Sequence, residues 1–148
     1  MKLACIDPGS PDARRLIGEL DAALAAITGD SGAASFDPDD CRGPGAAFVV
    51  AYDATGTALG CGAVRALNGD VGELKRMYAR PGSGAGAHIL AELERLATEC
   101  GYRALWLSTR RVNARAVGFY ERHGYLEVPP SGRYVGRAVS ICLGRSLA

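Results

Sequence analysis

The sequence predicts an α+β fold, with a mixed, mostly antiparallel central sheet of about seven strands flanked by helices. Three observations carry this. Strand-like segments follow one another between Ala47 and Ala79 with only turns between them, the pattern of an antiparallel meander. One strand–helix–strand unit comes next, and a single such unit is too little for a doubly wound sheet. Two more strand-like segments then end the chain.

Each element has a local reason. Lys2 to Asp7 alternates weakly and reads as a first strand. Pro11 to Ile27 places Leu16, Leu20, Leu24 and Ile27 at helical spacing behind a Ser10-Pro11 start. Gly, Asp and Pro break the pattern from Gly29 to Gly45, a long polar loop with room for a short helix and a candidate substrate-facing segment. Ala47 to Tyr52 and Leu59 to Leu67 flank a hairpin loop at Asp53 to Thr57. Asn68-Gly69-Asp70 is a second turn, and Val71 to Ala79 is the next strand.

Gly82-Ser83-Gly84-Ala85-Gly86 opens a helix. Its apolar stripe is Ile89, Leu90, Leu93, Leu96, Ala97 and Cys100, with Glu92, Glu94, Arg95 and Glu99 opposite and Gly101 as the C-terminal cap. Ala104 to Leu107 is continuously apolar, as a strand covered on both faces should be. Asn113 to His123 is a helix with Asn113 as N-cap and Gly124 as exit. Tyr125 to Val128 and Val135 to Leu143 are the closing strands, joined through Pro129, Pro130 and Gly132.

The 148 residues suit one domain spanning 1–148. Lys and Arg total 17 against 16 Asp and Glu. That balance gives no electrostatic reason to expect nucleic acid or an anionic membrane as partner. No apolar run approaches the ~20 residues of a membrane helix. The N-terminus turns acidic and Pro-rich too early for a signal peptide, so a cytoplasmic location is expected. Five scattered cysteines without a CxxC pair, and only His88 and His123 beside them, suggest neither a disulfide framework nor a metal site.

The glycine loop invites three readings. Amides at a helix start can face an anion, and glycine lets a pyrophosphate approach the backbone. The plain alternative is a flexible turn. A Walker loop is excluded, because Gly86-Ala87-His88 lacks the Lys-Ser/Thr ending. Gly82, Gly84 and Ala87 fit a dinucleotide fingerprint loosely. That fingerprint needs an acidic residue after the next strand, which ends in Ser108-Thr109-Arg110-Arg111. Arginine there suits a 2′-phosphate, so an NADP enzyme is a rival, weakened by the single strand–helix–strand unit.

Three features in order resemble the GNAT family of N-acetyltransferases. They are a strand carrying Glu73-Leu74-Lys75-Arg76-Met77-Tyr78, a glycine loop opening a long helix, and Asn113-x-x-Ala116-x-x-x-Tyr120-Glu121-Arg122-x-Gly124-Tyr125. The resemblance covers the C-terminal half in detail. It implies an N-acetyltransferase using acetyl-CoA as co-substrate, without a metal. Met77, Tyr78 and Ala79 would pair with the pantetheine arm like an added strand. Amides of Gly82, Ser83, Gly84, Ala85, Gly86 and Ala87 would cradle the pyrophosphate. Asn113 would hydrogen-bond the arm, and Tyr120 would bring its hydroxyl to the thioester sulfur. The loop is shorter than is usual in the family and lacks internal basic residues, which leaves the cradle to backbone amides.

The implied chemistry is direct attack of an amine on the thioester. A strand amide stabilises the oxyanion, and a phenol (ordinary pKa ~10) protonates a thiolate whose acid has pKa ~8.5. The amine must lose its proton, and Glu73 is the candidate base. Structural alternatives stand beside each role: Tyr120 as a core aromatic, Glu73 as a solvated strand charge, Asn113 as a helix cap alone. Tyr134 is placed either at an acceptor pocket or over the core. His88 is expected at the surface, and Cys61 and Cys142 as small buried apolar residues. Lys75 and Arg76 take either sheet face, depending on whether a bulge re-aims them. The acceptor is a small-molecule amine or a protein amino group, and Asp30, Asp37, Asp39 and Asp40 are candidates to attract it. The expected assembly is a monomer or homodimer. The alternative function is a non-catalytic acyl-CoA-binding or regulatory module on the same fold.

Overall fold

The computed structural model describes residues 1–33, 36–130 and 135–147. In chain order the elements are β1 (Lys2–Cys5), α1 (Pro11–Thr28), a 3-10 turn (Pro38–Cys41), β2 (Ala47–Tyr52), β3 (Ala58–Asn68) and β4 (Val71–Ala79). There follow α2 (Ala85–Glu99), β5 (Ala104–Arg110), α3 (Ala114–Arg122), β6 (Leu126–Glu127) and β7 (Ser140–Ser146). The seven strands form one sheet in the order β1-β2-β3-β4-β5-β7-β6. Every pairing is antiparallel except β4 with β5. This is the α+β architecture the sequence predicts.

Both sheet faces are covered, which is why β2 is buried almost end to end. Val49 and Ala51 face one core with Ile89, Leu90 and Leu93 of α2. Phe48 and Val50 face the other, with Ala13 and Leu16 of α1. Close approach of α2 depends on glycine in β3. A Cβ at Gly62 would lie 2.8 Å from Leu93 Cδ1 and 2.9 Å from Ile89 Cγ2, inside any tolerable carbon contact. Tyr125, fully buried, donates from its hydroxyl to Glu94 of α2 at 2.8 Å. Glu94 also accepts from Arg145. A residue on the polar side of the predicted stripe thus anchors the helix to the strands beyond it.

Several boundaries differ from expectation. The last strand is Ser140–Ser146 rather than Val135 to Leu143, and Val135 and Val139 are exposed. Its position is fixed by pairing with β5, from Ala104↔Ser146 to Arg110↔Ser140. The partner strand, rather than the Val135/Val139 alternation, decides the register. β5 accordingly runs past Leu107 to Arg110, and only Leu105 and Leu107 on one face are fully buried. Cys100, assigned to the apolar stripe of α2, is exposed at the helix end, as is Ile27 of α1.

Candidate active site

β4 and β5 pair over only three residues each, Val71–Glu73 with Ala104–Trp106, although both strands continue beyond. The reason lies in β4. Its register with β3 passes from Cys61↔Tyr78 to Ala63↔Lys75, so three steps of β4 oppose two of β3. This is a bulge, and bulges bend a strand and increase its twist. Arg76 sits in it at φ 53, the one positive-φ residue other than glycine among the described residues. A left-handed conformation costs such a residue about 1–2 kcal/mol. The diverging strands enclose a cleft of about 200 Å³, reached by both α1 and α3.

Of the predicted donor-side residues, Met77, Asn113 and Tyr120 line this opening. Arg80 N donates to Leu59 O across β3, and the Tyr78 carbonyl lies against Gly60. Peptide groups alternate sides along a strand, so those of Met77 and Ala79 face the open edge and those of Tyr78 face β3. The Tyr78 side chain turns to α1, donating to Glu19 at 3.1 Å. Gly82 (φ 76) and Gly84 (φ 71) are left-handed, and a Cβ at either would meet nothing within 4 Å. The loop is therefore uncovered at the start of α2, where the first helical amides lack intrahelical acceptors. Ser83 Oγ accepts from Ala85 N, leaving Gly86 and Ala87 as the uncommitted first-turn amides. Gly86 is glycine for packing: a Cβ there would press on Phe119 of α3 at 3.2 Å. Arg80, the basic residue just before the loop, is held by Glu19 through Nε at 2.9 Å and Nη2 at 2.7 Å.

Asn113 and Tyr120 both line the cleft from the α3 side. Asn113 is buried and caps α3, its Oδ1 accepting from Ala116 N at 3.3 Å. Its oxygen is committed to the cap, so the amide NH2 is the group left for a ligand. Tyr120 is 7% exposed and packs edge-on against Phe119 and Tyr125. Its hydroxyl bonds to none of the described residues, and desolvation pushes its pKa well above the ordinary phenol value. A core aromatic and a cleft-facing proton donor are here the same side chain.

Glu73 lines the floor of the cleft and is buried, not solvated. Its Oε1 accepts from Arg65 Nε at 2.9 Å, and Arg65 in turn reaches Asp40 at 2.8 Å. Of the acidic loop residues, Asp30 alone lines the cleft, and it is bonded to Arg110 at 3.0 Å. Asp37 caps the 3-10 turn and Asp39 pairs with Arg42, so both are committed away from the site. Arg110, the residue a dinucleotide reading would assign to a 2′-phosphate, faces Asp30 in the cleft.

The bulge turns both Lys75 and Arg76 into the cleft wall, a placement alternation alone leaves open. Leu20 and Leu24 of α1 add an apolar wall; their helical spacing predicts a buried face, not a place beside the cleft. The sequence raises a bulge at Lys75 and Arg76 only as one alternative, because the residue count across the pair is set by β3. His88 is exposed. Cys61 and Cys142 are buried, and burial pushes the Cys61 thiol up to about 12. Tyr134 lies outside the described residues. Among the described residues, no helix is long and apolar enough to cross a membrane.

Known proteins resemble this chain in sequence and in fold. A family model, the acetyltransferase (GNAT) family, matches residues 19–125. An IAA acetyltransferase of Azospirillum brasilense is 31% identical over 137 residues, covering 90% of this chain and 89% of its own. A Klebsiella pneumoniae structure assigned as an acyl-CoA N-acyltransferase superposes with TM-score 0.83 at 25% identity, over 99% of this chain and 97% of that one. The PaiA N-acetyltransferase of Thermoplasma acidophilum, solved with coenzyme A, shares the fold (TM-score 0.69, 16% identity, 99% of each chain). The matched segment contains the splayed strands, the glycine loop and the Tyr120 helix, and the chain belongs to the acetyltransferase (GNAT) family.

Proposed function

We propose that this chain moves an acetyl group from acetyl-CoA to a primary amine by direct attack in a ternary complex. The observation that carries the proposal is the wedge between β4 and β5. Met77, Asn113 and Tyr120 line it, and the strand edge at Ala79 and the helix start after Gly84 follow Met77 along the chain. Acetyl-CoA supplies the activated acyl group as co-substrate. The Met77 and Ala79 peptide groups would bind its arm as an added strand, with the Asn113 NH2 as a further donor. The Gly82 to Ala87 loop would take the pyrophosphate on backbone amides alone, since Arg80 is committed to Glu19.

The chemistry then needs two proton movements. The C–N bond forms on attack, the C–S bond breaks as the tetrahedral intermediate collapses, the amine gives up a proton, and the thiolate takes one. Tyr120 is the donor: its pKa, raised by burial, keeps it protonated throughout the neutral range, and no described residue competes for its hydroxyl. Glu73 is the acceptor, directly or through water, because Arg65 occupies Oε1 and no described donor reaches Oε2.

The test is isothermal titration with acetyl-CoA followed by thiol release over an amine panel. Binding and turnover are expected. The loop without a free basic side chain favours one rival, a non-catalytic acyl-CoA-binding module on the same fold. Acetyl-CoA binding with no turnover on any amine would establish that rival, and absence of binding would sink the acetyltransferase reading.

A further inference from the structure

The charges in the cleft do not balance. Lys75, Arg76, Arg110 and Arg137 line it, against Glu73 and Asp30. Both carboxylates are committed: Glu73 to Arg65 from outside the cleft, and Asp30 to Arg110, with Arg137 close enough to act on it. The surplus is therefore positive, and since Arg76 is paired with Asp21 of α1, Lys75 is the bulge cation that has no described partner.

Arg76 is buried, its side chain only 4% exposed. One guanidinium nitrogen, Nη2, pairs with Asp21 of α1, and Nη1 reaches the Ser31 carbonyl at 3.4 Å. The guanidinium also lies 5.6 Å from the Phe36 ring centroid. Its Nε is buried with no acceptor, one of two such side-chain atoms among the described residues. Lys75 is 9% exposed, and its ammonium makes no hydrogen bond or ion pair with any described residue. A buried donor without an acceptor is costly, and the Lys75 ammonium is a second donor in the cleft wall left without a described partner. Here both sit on one strained turn of backbone at the wall of a substrate cleft. A monoanion entering the cleft would pair with the Lys75 ammonium.

We propose that the acceptor is an amine that also carries a carboxylate, an amino-acid-like molecule with an apolar side chain, whose carboxylate is received by Lys75. The proposal rests on the acetyltransferase reading and names its substrate class. Glu73 and Lys75 lie two residues apart on one strand, before the bulge, so they share a face roughly 7 Å apart. An acceptor seated between them presents its amine to Glu73 and its carboxylate to Lys75. Leu20 and Leu24 of α1 supply the surface its apolar side chain would cover.

The experiment compares L-leucine with L-leucinamide and isopentylamine, and L-phenylalanine with its amide and phenethylamine. Direct binding is measured by titration with and without CoA, and kcat/KM by thiol release. The free amino acids are expected to be preferred over both neutralised analogues by roughly 10- to 100-fold, the worth of a hydrogen bond to a charged group. In Lys75→Met, which keeps the apolar stem, that ratio should fall toward one through a rise in KM for the amino acid. Lys75→Arg should restore it, which a purely packing role would not. Equal use of acids and neutral analogues, an unchanged ratio in Lys75→Met, or no binding of either amino acid would each overturn the proposal. Acetyl-CoA titration in the same samples separates this failure from failure of the acetyltransferase reading itself.

Discussion

Replacing Gly84 separates the two things the loop does, adopting a left-handed backbone and leaving room for negative charge. Gly84 is the residue just before α2, at φ 71, and a Cβ there meets no atom within 4 Å. Gly84→Ala therefore adds no clash and costs only the left-handed conformation, about 1–2 kcal/mol. Gly84→Glu costs the same and adds a carboxylate beside the pyrophosphate cradle. Two unit charges about 5 Å apart repel by about 3 kcal/mol at an effective dielectric near 20. Gly84 is exposed, so at physiological salt screening brings this to about 1–2 kcal/mol. Isothermal titration with acetyl-CoA should thus show Gly84→Ala weakened modestly and Gly84→Glu a further roughly tenfold or more. The gap between the variants should narrow as salt rises. Equal affinity of the two variants at low salt would refute the placement of the pyrophosphate on this loop.

Tyr120→Phe should lower kcat by about 10²-fold or more, the usual worth of a positioned proton donor, with acetyl-CoA affinity and Tm nearly unchanged, because the hydroxyl has no protein partner. A raised pKa keeps the phenol protonated as pH climbs, so an alkaline loss of kcat centred below pH ~10 that vanishes in Tyr120→Phe would contradict this role. Glu73→Gln should depress kcat and also destabilise the fold by about 1–3 kcal/mol in chemical denaturation, since Arg65 loses a buried charged acceptor. Gly62→Ala should cost about 1–3 kcal/mol by overpacking Ile89, Leu93 and the Met77 side chain, read as a lower Tm.

Local chemistry made most of the fold legible. Turn residues, a capped helix and period-2 or 3.6 alternation each act within a few residues, so β2 to β4, α1, α2 and α3 are readable from sequence. The family pattern marked Met77, the glycine loop, Asn113 and Tyr120 because their spacing is itself sequential. Where a strand lies was less legible when a partner decides it. β7 begins at Ser140 because β5 sets its register, and Val135 and Val139 fall outside the sheet despite their apolar spacing.

What the sequence by itself determined, then, is the element order, the α+β class and the family pattern, all written in short-range periodicity and spacing. Only the tertiary structure decided what the cleft looks like inside. The bulge at Arg76 exists because β4 must take three steps against two of β3, and that count belongs to the pair of strands. It splays β4 from β5, turns Lys75 and Arg76 into the opening, and lets Asp21 and Arg65, distant in sequence, claim one charge each. Burial then decides which side chains stay free, the Tyr120 hydroxyl and the Lys75 ammonium among them. Desolvation and pairing arise only when separate segments are packed together.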